Sequence, residues 1–264
     1  MKQSILNVAI VQVDLTWMNT RANLLHIQKL VMKHHESTMS KNTPVDIWVL
    51  PEMFTTGFTM DVFALNEQDT ILVVEWMKQL ANFTNSLVIG SVAVKEGEKY
   101  INRLFACTQW GIASTYDKIK TYTPSGESAL YERGHLNNIF IYKGWRLKTL
   151  ICYDLRFPAL SSNPDVYDLL IYVASWPMPR ISHWITLLQA RSIENQAYVI
   201  GVNRVGVDPL NNKYCGSSAA FDPMGQLVVS TELNVEQVKI APLSIDRLNS
   251  VRDEFPFIKD ISLD

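Results

Sequence analysis

Three residues whose types could act together in catalysis stand at the ends of predicted strands. Glu52 follows one strand after a proline, Lys118 lies where another strand passes into a loop, and Cys152 closes an apolar run. A thiol has an ordinary pKa of about 8.5, so it needs help to become a nucleophile near neutral pH, and a nearby carboxylate can accept its proton. A lysine ammonium can balance the carboxylate and stabilise the oxyanion that forms when sulfur attacks a carbonyl carbon. The trio therefore predicts nucleophilic chemistry at a cysteine.

Cys152 is the strongest candidate nucleophile among the cysteines. An abrupt turn after the run 147–151 would expose its sulfur and direct the backbone N–H of Tyr153 at the same spot, as an oxyanion site requires. The alternative is a small buried apolar residue, which is a common role for a free cysteine. Cys107 lies inside an apolar strand pattern and Cys215 follows a polar loop, so both are weaker candidates.

The surroundings of Glu52 favour an enclosed position. An acid directly after an apolar strand risks a costly loss of hydration unless the chain has already reached the surface. The loop 53–58 that follows is mostly apolar, so Glu52 is expected to face a closed space. Lys118 considered alone has the pattern of an ordinary surface lysine. Its assignment therefore depends on its lying near the other two residues.

The composition indicates one folded unit. The chain has 264 residues, of which 47% are hydrophobic and 19% charged, so it can bury a large core. With no linker or repeat in the sequence, we predict a single domain, 1–264.

The net charge of −2 argues against nucleic acid as a partner. Few, unevenly spaced cysteines and the lack of an apolar run of about 20 residues favour the cytoplasm and no membrane span.

The pattern of apolar runs and helical periodicity predicts an α/β fold. Buried strands are predicted at 5–13, 46–50, 87–94, 103–108, 147–152, 169–174 and 198–205. Helices are predicted at 23–35, 70–83 and 182–196, a polar loop at 37–44 and a hairpin turn at 222–225. Because many of the runs lack strict alternation, we expect sheets that are covered on both faces.

Three segments resemble, in order and spacing, the signature segments of the nitrilase superfamily of carbon–nitrogen hydrolases. They are PEMF at 51–54, YDK at 116–118 and ICYDLRFP at 151–158. The resemblance continues through YVASWP at 172–177, QARSIENQAY at 189–198 and NRVG at 203–206. Each segment alone is a weak signal, whereas all of them in order are a strong one that covers nearly the whole chain.

The resemblance implies a four-layer α-β-β-α sandwich, nitrilase-like, that pairs as a homodimer. It implies a catalytic triad, here Glu52, Lys118 and Cys152, which acts on a small-molecule amide without a metal or an organic cofactor. It also implies a second glutamate near the lysine, for which Glu127 is the candidate. The alternative for Glu127 is a loop acid in solvent.

Within the superfamily, the residues after Cys152 are similar to those of the ω-amidase branch and differ from the Cys-Trp-Glu pattern of true nitrilases. This implies hydrolysis of the terminal amide of 2-oxo dicarboxylic acid monoamides such as 2-oxoglutaramate and 2-oxosuccinamate. The open alternatives are another small-molecule amidase, an N-carbamoyl amidohydrolase, a nitrilase of the same superfamily, and a catalytically silent binding scaffold. Ala159 and the KTY segment at 120–122 depart from many relatives, and these departures bear on the substrate rather than on the triad.

Further residues are candidates for the substrate pocket. The backbone N–H of Tyr153 would help to hold the oxyanion. The guanidinium of Arg156 could anchor a substrate carboxylate, although an internal salt bridge to Asp154 is slightly favoured. Trp176 follows a buried strand, so it could form a wall of the pocket, pack in the core, or do both.

Two other hydrolase classes fit the sequence less well. A papain-type enzyme would need a histidine beside Cys152, but neither His135 nor His183 stands at a comparable strand end. A metallohydrolase would need an HExxH motif or clustered His and Asp, which the sequence lacks.

Overall fold

The fold is that of a computed structural model, which describes residues 2–135, 139–164 and 167–260. Its strands are β1 (Ile5–Gln12), β2 (Ile47–Val49), β3 (Leu87–Glu96), β4 (Lys99–Thr108), β5 (Gly111–Asp117), β6 (Ile139–Tyr142), β7 (Trp145–Ile151), β8 (Leu169–Ala174), β9 (Tyr198–Asn203), β10 (Val205–Val207), β11 (Lys213–Cys215), β12 (Ala219–Phe221), β13 (Leu227–Ser230) and β14 (Gln237–Ser244). Its α-helices are α1 (Thr20–Ser40), α2 (Glu67–Thr84), α3 (Glu127–Leu130), α4 (Pro158–Ser161), α5 (Ile181–Asn195) and α6 (Ile245–Glu254). Within the described ranges, no helix combines the length and apolar character that a bilayer crossing demands.

Two six-stranded sheets form the centre of the fold. The first has the order β14-β1-β2-β3-β4-β5, and its parallel pairs are β1 with β2 and β2 with β3. The second has the order β13-β12-β9-β8-β7-β6, and its parallel pairs are β7 with β8 and β8 with β9. Every residue of β2 and β8 is buried, as expected for central parallel strands that are covered on both faces.

The alternating side chains of β1 reveal the order of the layers. Leu6, Val8 and Ile10 lie in a core shared with the second sheet. Ala9 and Val11 lie in a different core, which the first sheet shares with α1 and α2. The first sheet is thus packed between two helices on one side and the second sheet on the other.

Helix α5 covers the outer face of the second sheet at very close range. A Cβ atom at Gly201 in β9 would lie 2.3 Å from Cδ1 of Leu188 and 2.6 Å from the ring of Trp184, both on α5. Glycine is therefore required where this helix crosses the strand. Leu248 of α6 is buried in the same core. The predicted α-β-β-α sandwich is confirmed.

The structure differs from the sequence prediction at several elements. Helix α1 continues to Ser40, so the loop predicted at 37–44 is wrong over its first half. The hydroxyl of Thr38 donates to His35 O at 2.9 Å and that of Ser40 donates to Ser37 O at 2.8 Å, so these polar side chains bond to the helix backbone itself. Strands β6 and β14 and helix α6 were not predicted. In β14, Pro242 and Lys239 mask the strand pattern because both are typical of a sheet edge, where this strand lies.

Candidate active site

The structure brings Glu52, Lys118 and Cys152 together from three different strand ends. β2 ends three residues before Glu52, β5 ends directly before Lys118, and β7 ends directly before Cys152. Lys118 Nζ lies 2.8 Å from Glu52 Oε1, and both side chains are 0% exposed. Cys152 is 9% exposed, and its sulfur lies close enough to Glu52 and Lys118 for both charges to act on the pKa of the thiol. The three side chains therefore form one electrostatically coupled group.

Glu127 is the second carboxylate at the ammonium of Lys118. Lys118 Nζ donates to Oε1 of Glu127 at 3.0 Å and to Oε2 at 2.9 Å, and the Glu127 side chain is completely buried. The alternative of a loop acid in solvent is therefore wrong. Burial lowers the pKa of Lys118, but Glu127 and Glu52 outweigh it and raise that pKa above its ordinary value. Lys118 thus stays charged, with the ring of Phe58 covering it 5.0 Å away.

Each oxygen of the Glu52 carboxylate has its own fixed donors. Oε1 accepts from Lys118 and from Asn102 Nδ2 at 2.8 Å, and Oε2 accepts from the backbone N–H of Ser175 at 2.8 Å. Asn102 also donates to Glu127 at 3.3 Å, so one amide links the two carboxylates. Sequence reasoning missed Asn102. An asparagine inside strand β4, where this residue type is uncommon, was the signal that could have revealed it.

Cys152 occupies a strained position at the start of a 3-10 turn. Its φ is 44°, in the left-handed region that non-glycine residues rarely adopt. The buried carboxylate of Asp154 holds this turn, because it accepts from Ile151 N at 3.0 Å, Lys120 N at 2.8 Å and Tyr116 Oη at 2.9 Å. The abrupt strand exit predicted from the sequence is confirmed, and Asp154 joins it to the loop that carries the lysine.

The electrostatics of the site keep the sulfur protonated in the resting state. Burial raises the pKa of Cys152 well above its ordinary value, the charge of Glu52 raises it further, and Lys118 opposes both. Burial also raises the pKa of Asp154 to about 6, although its three donors lower it. The arrangement is a neutral thiol beside a base, which differs from a preformed thiolate.

Cys152 opens onto a cavity of about 450 Å³. Aromatic side chains and arginines dominate its walls, which include Phe58, Tyr122, Tyr153, Arg156, Trp176 and Arg180. The ring of Tyr153 packs edge-on against Tyr122, with 5.0 Å between ring centroids. Of the predicted pocket residues, Tyr153, Arg156 and Trp176 all line this cavity. Arg180 was missed by sequence reasoning.

Arg156 does not form the predicted salt bridge to Asp154. Asp154 is buried and bonded to other donors, whereas the Arg156 guanidinium lies over the ring of Trp176, 4.8 Å from its centroid. Arg156 Nη2 also lies 3.2 Å from Nδ1 of His183, at the exposed start of α5. The turn thus sends the two side chains in different directions, and the guanidinium faces the cavity.

Trp176 belongs both to the cavity wall and to the core. It is 3% exposed and packs against Trp184 with 5.5 Å between ring centroids. Asn203, at the end of β9, accepts from Trp176 N at 2.7 Å and donates to Trp176 O at 3.0 Å. Both predicted roles of Trp176 are compatible with this position.

Across the part of the chain that the structure describes, no group of three or more His, Cys, Asp or Glu side chains is arranged to hold a metal ion.

Comparison with known proteins identifies a carbon–nitrogen hydrolase domain over nearly the whole chain. The profile of the family described as carbon-nitrogen hydrolase matches residues 7–253. An omega-amidase (YafV) of Yersinia enterocolitica is 38% identical over 97% of each chain. The omega-amidase of the same name from Escherichia coli (strain K12) is 39% identical over 97% of this chain and 96% of its own. A 2-oxoglutaramate amidase of Bacillus subtilis (strain 168) is 32% identical over 83% of this chain and 86% of its own.

Solved structures resemble the fold over its full length. A carbon–nitrogen hydrolase superfamily protein of Xanthomonas campestris, crystallised with an arsenic adduct in its active site, superposes with a TM-score of 0.90 and is 32% identical over 98% of each chain. Nit3 of Saccharomyces cerevisiae, a nitrilase superfamily member, shares the fold with a TM-score of 0.85 at 23% identity, covering 97% of this chain and 96% of its own. The chain therefore belongs to the carbon–nitrogen hydrolase family.

Proposed function

We propose that this enzyme is an ω-amidase. It hydrolyses the terminal amide of small 2-oxo dicarboxylic acid monoamides, such as 2-oxoglutaramate and 2-oxosuccinamate, to the dicarboxylate and ammonia. The observation that carries the proposal is Cys152, which opens onto a cavity with two arginines while Glu52 and Lys118 lie buried beside it. The names of the similar omega-amidases and 2-oxoglutaramate amidase support the same substrate class.

In the acylation half of the proposed reaction, Cys152 is the nucleophile and Glu52 the base. Because the pKa of the thiol is raised, the proton moves to Glu52 as the sulfur–carbon bond forms. The Lys118 ammonium and the backbone N–H of Tyr153 stabilise the oxyanion. Glu52 then passes the proton to the leaving nitrogen, the carbon–nitrogen bond breaks, and ammonia departs from a thioester on Cys152.

In the deacylation half, water attacks the thioester. Glu52 takes a proton from the water as the new carbon–oxygen bond forms, and returns it to the sulfur as the carbon–sulfur bond breaks. Glu127 assists by holding the Lys118 ammonium through two hydrogen bonds, so the oxyanion donor keeps its place through both halves. The protein regains a neutral thiol and an ionised carboxylate.

The substrate carboxylate binds at the guanidinium of Arg156 in this proposal. Arg156 lines the cavity four residues after Cys152, and within the described residues no carboxylate pairs with it. A guanidinium presents its N–H groups in a planar fork that matches a carboxylate. The stacking on Trp176 occupies the face of that plane, and Nη2 is bonded to His183, so the remaining N–H groups of the guanidinium are left for the substrate.

We also propose that the enzyme works as a homodimer in the cytoplasm. The dimer rests on the resemblance to the superfamily, and the location rests on the cysteine content, since Cys107, Cys152 and Cys215 are all free thiols. Light scattering coupled to gel filtration tests the first statement: a mass of twice 30.1 kDa supports it and a mass of 30.1 kDa contradicts it.

A comparison of ammonia release tests the substrate assignment. The purified enzyme is given 2-oxoglutaramate, glutamine, an N-carbamoyl amino acid and a simple nitrile at equal concentrations. The proposal predicts the highest kcat/KM for 2-oxoglutaramate. A preference for one of the other compounds would contradict the ω-amidase assignment, and turnover of none of them would favour a silent scaffold.

A further inference from the structure

Two arginines from separate loops converge on the cavity that holds Cys152. Arg156 lies in the 3-10 turn Cys152–Arg156, and Arg180 ends the 3-10 turn Met178–Arg180 that precedes α5. Among the residues that the structure describes, no carboxylate lies within salt-bridge distance of either guanidinium. Five other arginines do have such a partner, namely Arg103, Arg191, Arg204, Arg247 and Arg252.

The two guanidiniums rest on aromatic walls that fix their planes. Cζ of Arg156 lies 4.8 Å from the centroid of the Trp176 ring, and Cζ of Arg180 lies 5.7 Å from that of Tyr122. The Trp176 indole donates to the backbone oxygen of Arg180 at 2.8 Å. One tryptophan therefore contacts both arginines, at the guanidinium of Arg156 and at the backbone of Arg180. Nη2 of Arg156 is bonded to His183, while its other N–H groups and those of Arg180 remain available to an anion.

The cavity offers no free carboxylate to a positively charged group. Asp208 is the acid that lines it within the described residues, but its side chain already accepts four hydrogen bonds. The donors are Leu210 N at 3.0 Å, Asn212 N at 2.9 Å, Asn212 Nδ2 at 2.8 Å and Tyr214 Oη at 2.9 Å. A substrate ammonium in this cavity would face two guanidiniums and lack an acceptor of its own.

We propose that Arg156 and Arg180 clamp the 2-oxo acid end of the substrate, and that Arg180 is the specificity-determining residue that separates 2-oxo acids from 2-amino acids. This inference rests on the proposed ω-amidase function and adds its recognition element. The fork of Arg156 binds the carboxylate, and Arg180 donates to the 2-oxo oxygen. In glutamine an ammonium group replaces that oxygen, so repulsion takes the place of a hydrogen bond.

The kinetic test compares Arg180→Gln and Arg156→Gln on 2-oxoglutaramate and on glutaramate, which lacks the 2-oxo group. A hydrogen bond from a charged donor is worth about tenfold or more in affinity, so Arg180→Gln should lower kcat/KM for 2-oxoglutaramate by at least that factor, mainly through KM. The same variant should leave kcat/KM for glutaramate within about threefold of wild type, whereas Arg156→Gln should lower kcat/KM for both compounds.

Arg21→Gln, a change at an exposed arginine on α1, is the matched control. Equal losses on both compounds with Arg180→Gln, or no loss on either, would overturn the proposal.

A binding measurement separates this inference from the proposed function. In a Cys152→Ala background, calorimetry compares the affinities for 2-oxoglutarate and glutarate with and without Arg180→Gln. The clamp predicts that the protein with Arg180 binds 2-oxoglutarate about tenfold more tightly than glutarate. Arg180→Gln should make the two affinities equal. A preference that survives Arg180→Gln contradicts the clamp, whichever amide the active enzyme hydrolyses. If the enzyme prefers another amide while the preference behaves as expected, the ω-amidase assignment fails and the anion clamp stands.

Discussion

The ammonium of Lys118 donates to both carboxylate oxygens of Glu127, at 3.0 and 2.9 Å, and neither side chain has any exposed surface. Glu52 is bonded to the same ammonium, so two carboxylates face one cation in a buried space. With a neutral thiol the site already holds an excess negative charge, and a thiolate would add a second. Burial and this excess negative charge together explain why the pKa of Cys152 is raised, and why the sulfur needs a base in the proposed reaction.

Replacing Glu127 by Gln is expected to make the thiol more acidic and the enzyme slower. The Glu127 charge raises the pKa of Cys152, so removing it should shift the pH profile of alkylation by iodoacetamide toward lower pH. At the same time Lys118 loses an anchor, and a misplaced oxyanion donor should lower kcat by up to about 10²-fold. Glu132→Gln, at an exposed glutamate paired with Lys99, is the control. An unaltered alkylation profile together with unaltered kcat would contradict this role.

Replacing Glu52 by Gln should separate thiol acidity from catalysis. Glu52 raises the pKa of Cys152, so the variant should be alkylated at lower pH than wild type. Loss of the proposed general base should nevertheless lower kcat by about 10²–10⁴-fold. Cys107 is also buried, and burial raises its pKa to about 12. Peptide mapping after alkylation identifies which cysteine has been modified. Retention of more than about a tenth of wild-type kcat would show that another group accepts the proton.

Replacing Asn102 by Ala should disturb the orientation of the base while leaving the binding of substrate intact. The Asn102 amide donates to Glu52 at 2.8 Å and to Glu127 at 3.3 Å. Its loss removes one of the two donors at Oε1 of each carboxylate and so weakens their orientation, and kcat is expected to fall about tenfold with little change in KM. A variant whose KM rises while kcat is kept would indicate that Asn102 acts at the pocket wall instead.

The Asp154 carboxyl group should give the protein a distinctive dependence of stability on pH. Burial raises its pKa from the ordinary 3.8 to about 6, so the folded protein holds this proton more tightly than the unfolded chain. Its contribution to stability is therefore largest in acid and is lost as pH rises through about 6. Relative to Asp154→Asn, wild type should gain about 1 kcal/mol of unfolding free energy between about pH 7 and about pH 5, measured by urea titration. A difference that stays constant or changes in the opposite direction would contradict the raised pKa.

The elements that carry the chemistry were predictable because their signals are local. Leu169–Ala174 is a continuous apolar run, and the structure has a strand with the same bounds. The strand ends that precede Glu52 and Cys152 were likewise visible, because an apolar run stops at each of them. Parallel central strands bury both faces, so their composition alone is informative.

The contacts that fix the site geometry could not be predicted, because they join residues far apart in the chain. Asn102 lies 50 positions from Glu52, and no sequence pattern near either residue predicts the hydrogen bond between them. The salt bridge predicted between Arg156 and Asp154 followed sequence proximity, but the 3-10 turn directs Asp154 inward and Arg156 toward Trp176. Arg180 was overlooked for the same reason, since only the fold brings it to the cavity of Cys152.

Mass spectrometry of the enzyme quenched in acid during turnover of 2-oxoglutaramate tests the central claim most directly. The account predicts a mass increase equal to the substrate minus ammonia, located by peptide mapping on Cys152 and chased away when substrate is exhausted. An adduct on Cys107 or Cys215, or steady ammonia release while Cys152 stays unmodified throughout, would contradict a thioester mechanism at this residue.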